Sequence, residues 1–273
     1  MNSLVKRVLT AAVLVPFVVW VVLFSSDLVF NLVLSLVVFT AAYEWFALSG
    51  ASNRLTKGLF ASACLIVSFG ISYSAESIIY PLIHINSVIW LLMVMLIMAQ
   101  AKQLLEISIS RSITVMFGLF IVSLLFVSLH QIRLHLEQGP ALLMYLLLLI
   151  WAADSGAYFA GRAFGRHKLS AVISPGKSIE GVLGGLVSCL VFAVLATYYF
   201  KLTGDRMAFV GVSVFIAFIS VYGDLFESLM KRRAKVKDSG NILPGHGGAL
   251  DRLDSLIAAG PVFLSSIVLA DLF

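Results

Sequence analysis

Residues 113–130 read ITVMFGLFIVSLLFVSLH, an apolar run that contains no Asp, Glu, Lys or Arg. About 20 such residues in a helix cross the roughly 30 Å hydrocarbon core of a bilayer. Similar runs recur at 8–25, 28–49, 58–75, 86–101, 141–161, 179–200, 208–229 and 256–272. The sequence therefore predicts an all-α, polytopic integral membrane protein with about nine transmembrane helices.

The composition supports this class of protein. The chain is 60% hydrophobic and 12% charged, whereas a soluble domain carries about 25% charged residues. The first run is too long for a cleaved signal peptide and lacks a clean small-x-small cleavage site, so we predict a retained helix. Cys64 and Cys189 both fall in apolar runs, which predicts packing residues and not a disulfide or a metal site.

The basic residues predict the orientation of the chain. If the N-terminus lies in the cytoplasm, 16 of the 19 Lys and Arg residues fall on cytoplasmic segments, and only Arg133, Lys201 and Arg206 fall outside. This asymmetry favours an inside N-terminus and an outside C-terminus. The net charge of +5 then forms a cytoplasmic basic surface suited to anionic lipids or phosphates. Nucleic acid is not an expected partner, because no soluble module exists to present that surface.

Ionisable residues are distributed unevenly along the chain. We predict an N-terminal transmembrane helical scaffold over 1–140 and a C-terminal transmembrane catalytic half over 141–273. In the first half, Glu44 in the stretch AYEWF is an exception; it is either an interface-level carboxylate or a support for a site. The polar segment 131–140, with Arg133, is expected to be a solvated connection.

The first polar constellation lies at the end of the sixth apolar run. On a helix, Asp154, Tyr158 and Arg162 are spaced four residues apart and share one face. An aspartate eight residues before the basic end of a span must be paired, hydrated or bound to a cation. Either a structural network with Arg162 and Tyr158 or a functional site fits this pattern.

The second constellation is KLSAVISPGKSIEG at 168–181. It is not a phosphate-binding P-loop, because that motif needs Gly where this chain has Ala171. We expect Pro175 and Gly176 to form a turn before the seventh helix, whose N-terminus presents free N–H groups to an anion. Lys177 adds a full charge there; a Lys177–Glu180 pair in a charged turn is the alternative.

The third constellation, YGDLFESLMKRR at 222–233, places acids and a base on one helical stripe. Asp224, Glu227, Ser228 and Lys231 recur at helical spacing. Carboxylates close to a phosphate-attracting loop suit Mg²⁺, which binds through one or two carboxylates, substrate phosphates and water. An ion-pair ladder within the helix is the alternative.

The fourth constellation, at 237–255, surrounds the stretch PGHGG. Its glycines permit unusual backbone angles and a close approach of N–H groups to an anion. Asp251 and Asp254 open the ninth span, where acids also suit a helix N-terminus. That capping role does not account for His246 and the glycines that precede the aspartates.

Together these residues resemble a known family signature. The pattern runs from Ser228 through Lys231-Arg232, Lys237-Asp238, Pro244 and His246-Gly247-Gly248 to Asp251-Arg252 and Asp254. It resembles the signature of the phosphatidate cytidylyltransferases, or CDP-diacylglycerol synthases. The stretches ADSGAY at 153–158 and SPGK at 174–177 also resemble motifs of that family.

The resemblance implies a reaction and its requirements. CTP and phosphatidic acid would give CDP-diacylglycerol and pyrophosphate, in a Mg²⁺-dependent transfer at the cytoplasmic face of the bacterial inner membrane. Metal binding in the family is assigned to motif aspartates that match Asp224 and Asp251, with Asp254 close by. A second cation is left open, and so is a homodimer, because Gly181 and Gly185 permit close helix contact within one chain or between two.

Residue patterns and resemblance together yield a set of candidate site residues. The catalytic candidates are Asp224, Asp251, Lys177, Arg252, His246 and Asp154. The substrate-binding candidates are Ser155, Ser174, Ser228, Lys231, Arg232, Lys237, Asp238, Gly247 and Gly248.

Three other functions fit the chain less well. A transporter would carry inverted repeats with broken helices in both halves, whereas the charge here is confined to one half. A CDP-alcohol phosphotransferase would need an Asp-Gly pair, and the sequence has none. A lipid-anchored structural protein explains the basic run 231–237 but not the His-Gly-Gly turn or the acids.

Overall fold

The computed structural model describes residues 3–240 and 247–273, with side chains from Ala12 onward. This part of the chain contains ten helices and a single two-stranded hairpin. The helices are α1 (Ser3–Leu23), α2 (Asp27–Leu48), α3 (Arg54–Ser72), α4 (Glu76–Glu106), α5 (Arg111–His135), α6 (Gly139–Phe164), α7 (Ile179–Ala196), α8 (Arg206–Arg233), α9 (Leu250–Leu253) and α10 (Leu256–Leu269). The strands are β1 (Lys168–Ser170) and β2 (Ser174–Ser178).

The prediction of a helical membrane protein is confirmed. Eight segments of the described chain are long and apolar enough to cross a membrane, with α9 and α10 together forming the last one, Leu250–Leu269. α1 adds a shorter apolar stretch, Ala12–Leu23. Each of the nine predicted runs thus corresponds to a helix. The ninth begins earlier than predicted, because α9 precedes the apolar α10.

The chain divides into two compact units. The first unit comprises Met1–Ile79, Ser108–Met144 and Met230–Asp254, and the second comprises Tyr80–Ile107, Tyr145–Leu229 and Ser255–Phe273. Since both contain helices from distant parts of the sequence, neither unit is assembled from local contacts alone. The functional division at residue 140 stays a prediction.

Small and aromatic residues hold α2, α3 and α5 together in the first unit. Ser123 Oγ of α5 donates to the Cys64 carbonyl of α3 at 3.1 Å. Trp45 of α2 donates from its indole to the Thr114 carbonyl at 3.0 Å and covers Gly118, where a Cβ would overlap the indole. Cys64 is fully buried and not in a disulfide, which confirms its predicted packing role.

Arg133 does not lie in a solvated connection, so that prediction is wrong. α5 continues to His135, and Arg133 is only 6% exposed. Its guanidinium donates to the carbonyls of Val22 at 3.0 Å and Ser25 at 2.7 Å, and it forms an ion pair with Asp27 at 3.1 Å. Carbonyls at a helix C-terminus have no partner within the helix. Arg133 satisfies that of Val22 in the last turn of α1, and also the Ser25 carbonyl in the connection to α2.

Glycines bring α6 and α7 into close contact in the second unit. A Cβ at Gly185 would lie 2.7 Å from the Ala153 carbonyl, and one at Gly181 would lie 2.9 Å from the Ala157 carbonyl. Cys189 of α7 is buried and donates to the Leu149 carbonyl at 3.3 Å. Both glycines are therefore used for packing inside one chain.

The hairpin corrects the prediction of a turn at Pro175–Gly176. β1 and β2 pair antiparallel, with Lys168 opposite Ser178 and Ser170 opposite Ser174. The turn is at residues 171–173, and Pro175 and Gly176 lie within β2. Proline is tolerated there because a two-stranded hairpin consists only of edge strands, where a missing N–H leaves no partner unsatisfied. β2 leads directly into α7, whose N-cap Ser178 accepts from the Gly181 amide at 3.1 Å.

Candidate active site

Lys177 and Asp224 form the centre of a charged cluster in the second unit. The Lys177 ammonium lies 2.7 Å from Asp224 Oδ2 and donates to the Val221 carbonyl at 3.3 Å. Ser228 Oγ, one turn further along α8, donates to Asp224 Oδ1 at 3.3 Å. About a quarter of each charged side chain is exposed, 26% for Lys177 and 28% for Asp224. The pair is therefore within reach of a soluble or lipid-bound phosphate.

Glu180 fixes the hairpin that carries Lys177. Its carboxylate accepts from the amides of Arg166 at 3.1 Å and His167 at 3.2 Å, and it pairs with His167 Nδ1 at 2.5 Å. The Ile179 amide donates to the His167 carbonyl at 2.9 Å. These contacts close the chain across the base of the hairpin. The carboxylate that faces Lys177 is thus Asp224, and Glu180 orders the loop.

Lys231 and Asp251 form a second charged cluster, in the first unit. The Lys231 ammonium lies 2.7 Å from Asp251 Oδ1. Asp251 Oδ2 accepts from the amides of Gly248 at 2.8 Å and Ser239 at 3.0 Å. Asp251 is only 7% exposed. One carboxylate thus orients the lysine and joins positions near the two ends of residues 239–250, here called the signature segment.

Gly247 and Gly248 have separate reasons to be glycine. Gly247 has φ +79°, a left-handed conformation that side chains disfavour. A Cβ on Gly247 would also lie 2.7 Å from Asp251 Oδ2. A Cβ on Gly248 would overlap the Glu44 carboxylate. This backbone therefore lies close to two carboxylates of the chain itself, and its predicted binding of a substrate anion stays a prediction.

Glu44 is the functional candidate that the sequence left undecided. It lies on α2 and is only 3% exposed, so its carboxylate faces other residues of the protein and not solvent or lipid. Its Oε2 accepts from the Leu250 amide at 2.8 Å and from Ser239 Oγ at 3.3 Å. The sequence marked Glu44 only as an acid within an apolar run. It could not show the partners of Glu44, because they are about 200 residues away in the sequence.

The remaining predicted residues lie on exposed or partly exposed positions. On α6, the Tyr158 hydroxyl accepts from the Arg162 guanidinium at 3.0 Å, which confirms that these two side chains share a face. Asp154 and Ser155 are exposed on the same helix. Ser174 begins β2, and Asp254 follows α9; both are partly exposed. Arg232, Lys237, Asp238 and Arg252 are exposed. His246 lies outside the described residues.

Mg²⁺ requires hard oxygen donors, which carboxylates supply. Among residues 3–240 and 247–273, no three His, Cys, Asp or Glu side chains come together in a way that could hold a metal. Mg²⁺ commonly uses only one or two carboxylates and completes its shell with phosphates and water. Asp224 fits that role, because its oxygens are hard ligands and part of the side chain is exposed. Asp251 already accepts three hydrogen bonds, so its metal role, like that of Asp254, stays a prediction.

The sequence profile of the cytidylyltransferase family matches residues 5–270. The chain therefore belongs to the cytidylyltransferase family. Among similar proteins, the phosphatidate cytidylyltransferase of Haemophilus influenzae is 37% identical over 94% of this chain and 96% of its own length. That of Pseudomonas aeruginosa is 34% identical over 94% of each chain. That of Bacillus subtilis is 43% identical over 46% of each.

Proposed function

We propose that the protein is a phosphatidate cytidylyltransferase, which converts CTP and phosphatidate to CDP-diacylglycerol and pyrophosphate. The observation that carries the proposal is the likeness, over 94% of the chain, to bacterial proteins of that name. The lysine–aspartate pairs Lys177–Asp224 and Lys231–Asp251 support it. Both contain a cation suited to phosphate, and Asp224 is a partly exposed carboxylate suited to a divalent metal.

The reaction is a nucleotidyl transfer in which one P–O bond forms and another breaks. A phosphate oxygen of phosphatidate attacks the α-phosphorus of CTP, and the bond to the β-phosphate breaks to release pyrophosphate. No general base is assigned, because a phosphate monoester is already anionic at neutral pH. Catalysis therefore depends on holding the two anions together and on offsetting the charge that develops.

The basic residues supply most of that charge compensation. Lys177 and Lys231 are oriented by their aspartates, and phosphate oxygens can replace the carboxylate as the partner of each ammonium group. Arg232, Lys237 and Arg252 are exposed and are proposed to bind phosphate oxygens less tightly. Asp224 and Asp251, with Asp254 nearby in the sequence, would hold Mg²⁺, which supplies Lewis-acid neutralisation of the triphosphate when bound.

We also propose that the reaction takes place at the cytoplasmic face of a bacterial inner membrane. The named relatives are bacterial proteins, and the apolar helices require a bilayer. The Lys and Arg distribution favours the cytoplasmic side for the segments that carry the candidate site. CTP is soluble, so a site on that side needs no transport of the nucleotide.

The direct test is synthesis of a CDP-lipid by the purified protein. The protein in detergent is mixed with phosphatidate and radiolabelled CTP, with and without Mg²⁺, and the lipid and pyrophosphate are measured. We expect equal amounts of labelled lipid and pyrophosphate, only with Mg²⁺ present. Release of free phosphate without labelled lipid would contradict the proposal and indicate a CTP hydrolase.

A further inference from the structure

Glu44 lies in the second transmembrane helix, far in sequence from the signature segment, yet its carboxylate contacts that segment at both ends. Leu250, at the C-terminal end, donates its amide to Glu44 Oε2 at 2.8 Å. Ser239, at the N-terminal end, donates its hydroxyl to the same oxygen at 3.3 Å. A single oxygen of α2 thus joins the two ends of the signature segment.

Two glycines of the signature segment leave room for the Glu44 carboxylate. A Cβ on Gly240 or on Gly248 would overlap the Glu44 carboxylate. Gly240 directly follows Ser239, and Gly248 directly precedes Ala249-Leu250. Absence of a side chain at both positions is therefore what allows the segment to reach the carboxylate.

The same two ends also bind Asp251. The Ser239 amide and the Gly248 amide both donate to Asp251 Oδ2, and Asp251 Oδ1 holds Lys231. The backbone that Glu44 fixes is thus the backbone that orients Asp251, and through it the Lys231 ammonium.

Stability alone does not explain a carboxylate at this place. Glu44 is 3% exposed, and its second oxygen, Oε1, has no hydrogen-bond partner among the residues that the structure describes. Burying a charged group is costly, and an apolar residue of similar size is often neutral or stabilising instead. An ionisable group retained inside a transmembrane helix is by default a functional residue.

We propose that Glu44 is a positioning residue: it anchors the signature segment to α2 and so sets the orientation of Asp251 and Lys231 for phosphoryl chemistry. This inference rests on the proposed function for its catalytic consequence, but not for the contacts themselves. Displacement of about 1 Å in such groups can reduce turnover on the order of 10²-fold.

The test compares Glu44→Ala, Glu44→Gln and Val38→Ala. Val38 is fully buried on the same helix, six residues earlier, so its truncation measures the cost of a cavity in α2. Glutamine retains one carbonyl oxygen, which can accept from both the Leu250 amide and the Ser239 hydroxyl as Glu44 Oε2 does. Steady-state kinetics are normalised to folded protein, and hydrogen exchange of the Ser239 and Leu250 amides is followed by mass spectrometry.

We expect Glu44→Ala to lower kcat on the order of 10²-fold while the KM for phosphatidate stays within about threefold. Glu44→Gln should recover kcat to within about tenfold of the parent enzyme. Both amides should exchange faster in Glu44→Ala. Val38→Ala should lower thermal stability with unchanged kcat and exchange at the two amides.

Two results would overturn the positioning role. One is faster amide exchange in Glu44→Ala with kcat unchanged, and the other is an equal loss of kcat in Glu44→Ala and Val38→Ala. A parent protein that makes no CDP-lipid would instead refute the proposed function. In that case the exchange rates still decide whether Glu44 anchors the segment.

Discussion

Lys177 and Lys231 each face an aspartate at 2.7 Å. A lysine held in this way is oriented, and it is ready for an incoming phosphate that competes with the carboxylate. Side chains with a large share of their surface buried act at a lower effective dielectric than exposed ones. The two lysines are therefore expected to contribute far more than the exposed basic residues.

We expect Lys177→Ala to reduce kcat/KM on the order of 10²-fold or more, because it removes a partly buried charge that is proposed to face a phosphate. Lys168→Ala is the matched control, since Lys168 is an exposed lysine of the same hairpin whose charge is screened by salt. Its kcat/KM should stay within about threefold of the parent. Both rates are measured in detergent micelles, without a charged bilayer surface. Equal losses would show that the hairpin acts through its total charge.

Asp224→Asn should reduce turnover on the order of 10²-fold or more, because an amide binds Mg²⁺ weakly and leaves the Lys177 charge uncompensated. Asp205→Asn is the control: Asp205 precedes α8 and accepts from the Met207 amide at 3.1 Å, far along the helix from Asp224. Rates are compared over a Mg²⁺ titration. Near-normal turnover of Asp224→Asn at low Mg²⁺ would remove Asp224 from the metal site.

At the scale of elements, α8 ends in a complete Schellman motif. The Lys235 amide donates to the Arg232 carbonyl and the Val236 amide donates to the Lys231 carbonyl, both at 3.0 Å. Lys235 has φ +57°, the left-handed conformation that this cap requires and that glycine adopts most readily. Lys231 thus lies in the last turn of a well-terminated helix, which limits the freedom of its backbone.

Lys235→Gly should raise the free energy of unfolding by about 1 kcal/mol, because it relieves the left-handed strain of a residue with a Cβ. Lys235→Ala removes the same charge but retains the Cβ, so it should change stability by less than about 0.5 kcal/mol. Unfolding by SDS titration in mixed micelles gives the comparison. If alanine stabilises as much as glycine, the gain comes from charge and not from the backbone.

The sequence predicted the helices well because each apolar run is a local property of the chain. It misplaced the turn at Pro175–Gly176, since those residues usually mark turns and nothing local shows that they lie on an edge strand. It could not resolve Glu44 or Arg133, whose partners are more than 100 residues away. The signature residues were found by their pattern; their pairing depends on long-range packing.

At the scale of the whole molecule, orientation decides whether CTP can reach the site. α7 has 18 residues, about 27 Å of helix at 1.5 Å per residue, which matches the hydrocarbon thickness. The hairpin precedes α7 and residues 197–205 follow it. These two connections are therefore expected on opposite sides of the membrane.

Single cysteines at Val172 and Lys201, both exposed, test this orientation. We expect a membrane-impermeant thiol reagent to label Val172→Cys only from the cytoplasmic side and Lys201→Cys only from outside. The parent protein is the control, because Cys64 and Cys189 are buried and should not react. Labelling of Val172→Cys from outside would invert the predicted orientation and refute the cytoplasmic site.

The bond between Glu44 and Leu250 also has a consequence for biosynthesis, because the two residues are 206 positions apart. At about 5–20 residues per second of translation, roughly 10–40 s separate the emergence of the glutamate from that of its amide partner. During this interval the anchor of the signature segment does not exist. We expect a chain truncated after Val236 to insert into membranes but to form no CDP-lipid, as an assay of the truncated product would show. A ribosome that stalls late would then release an inert membrane protein instead of a partly active one that consumes CTP.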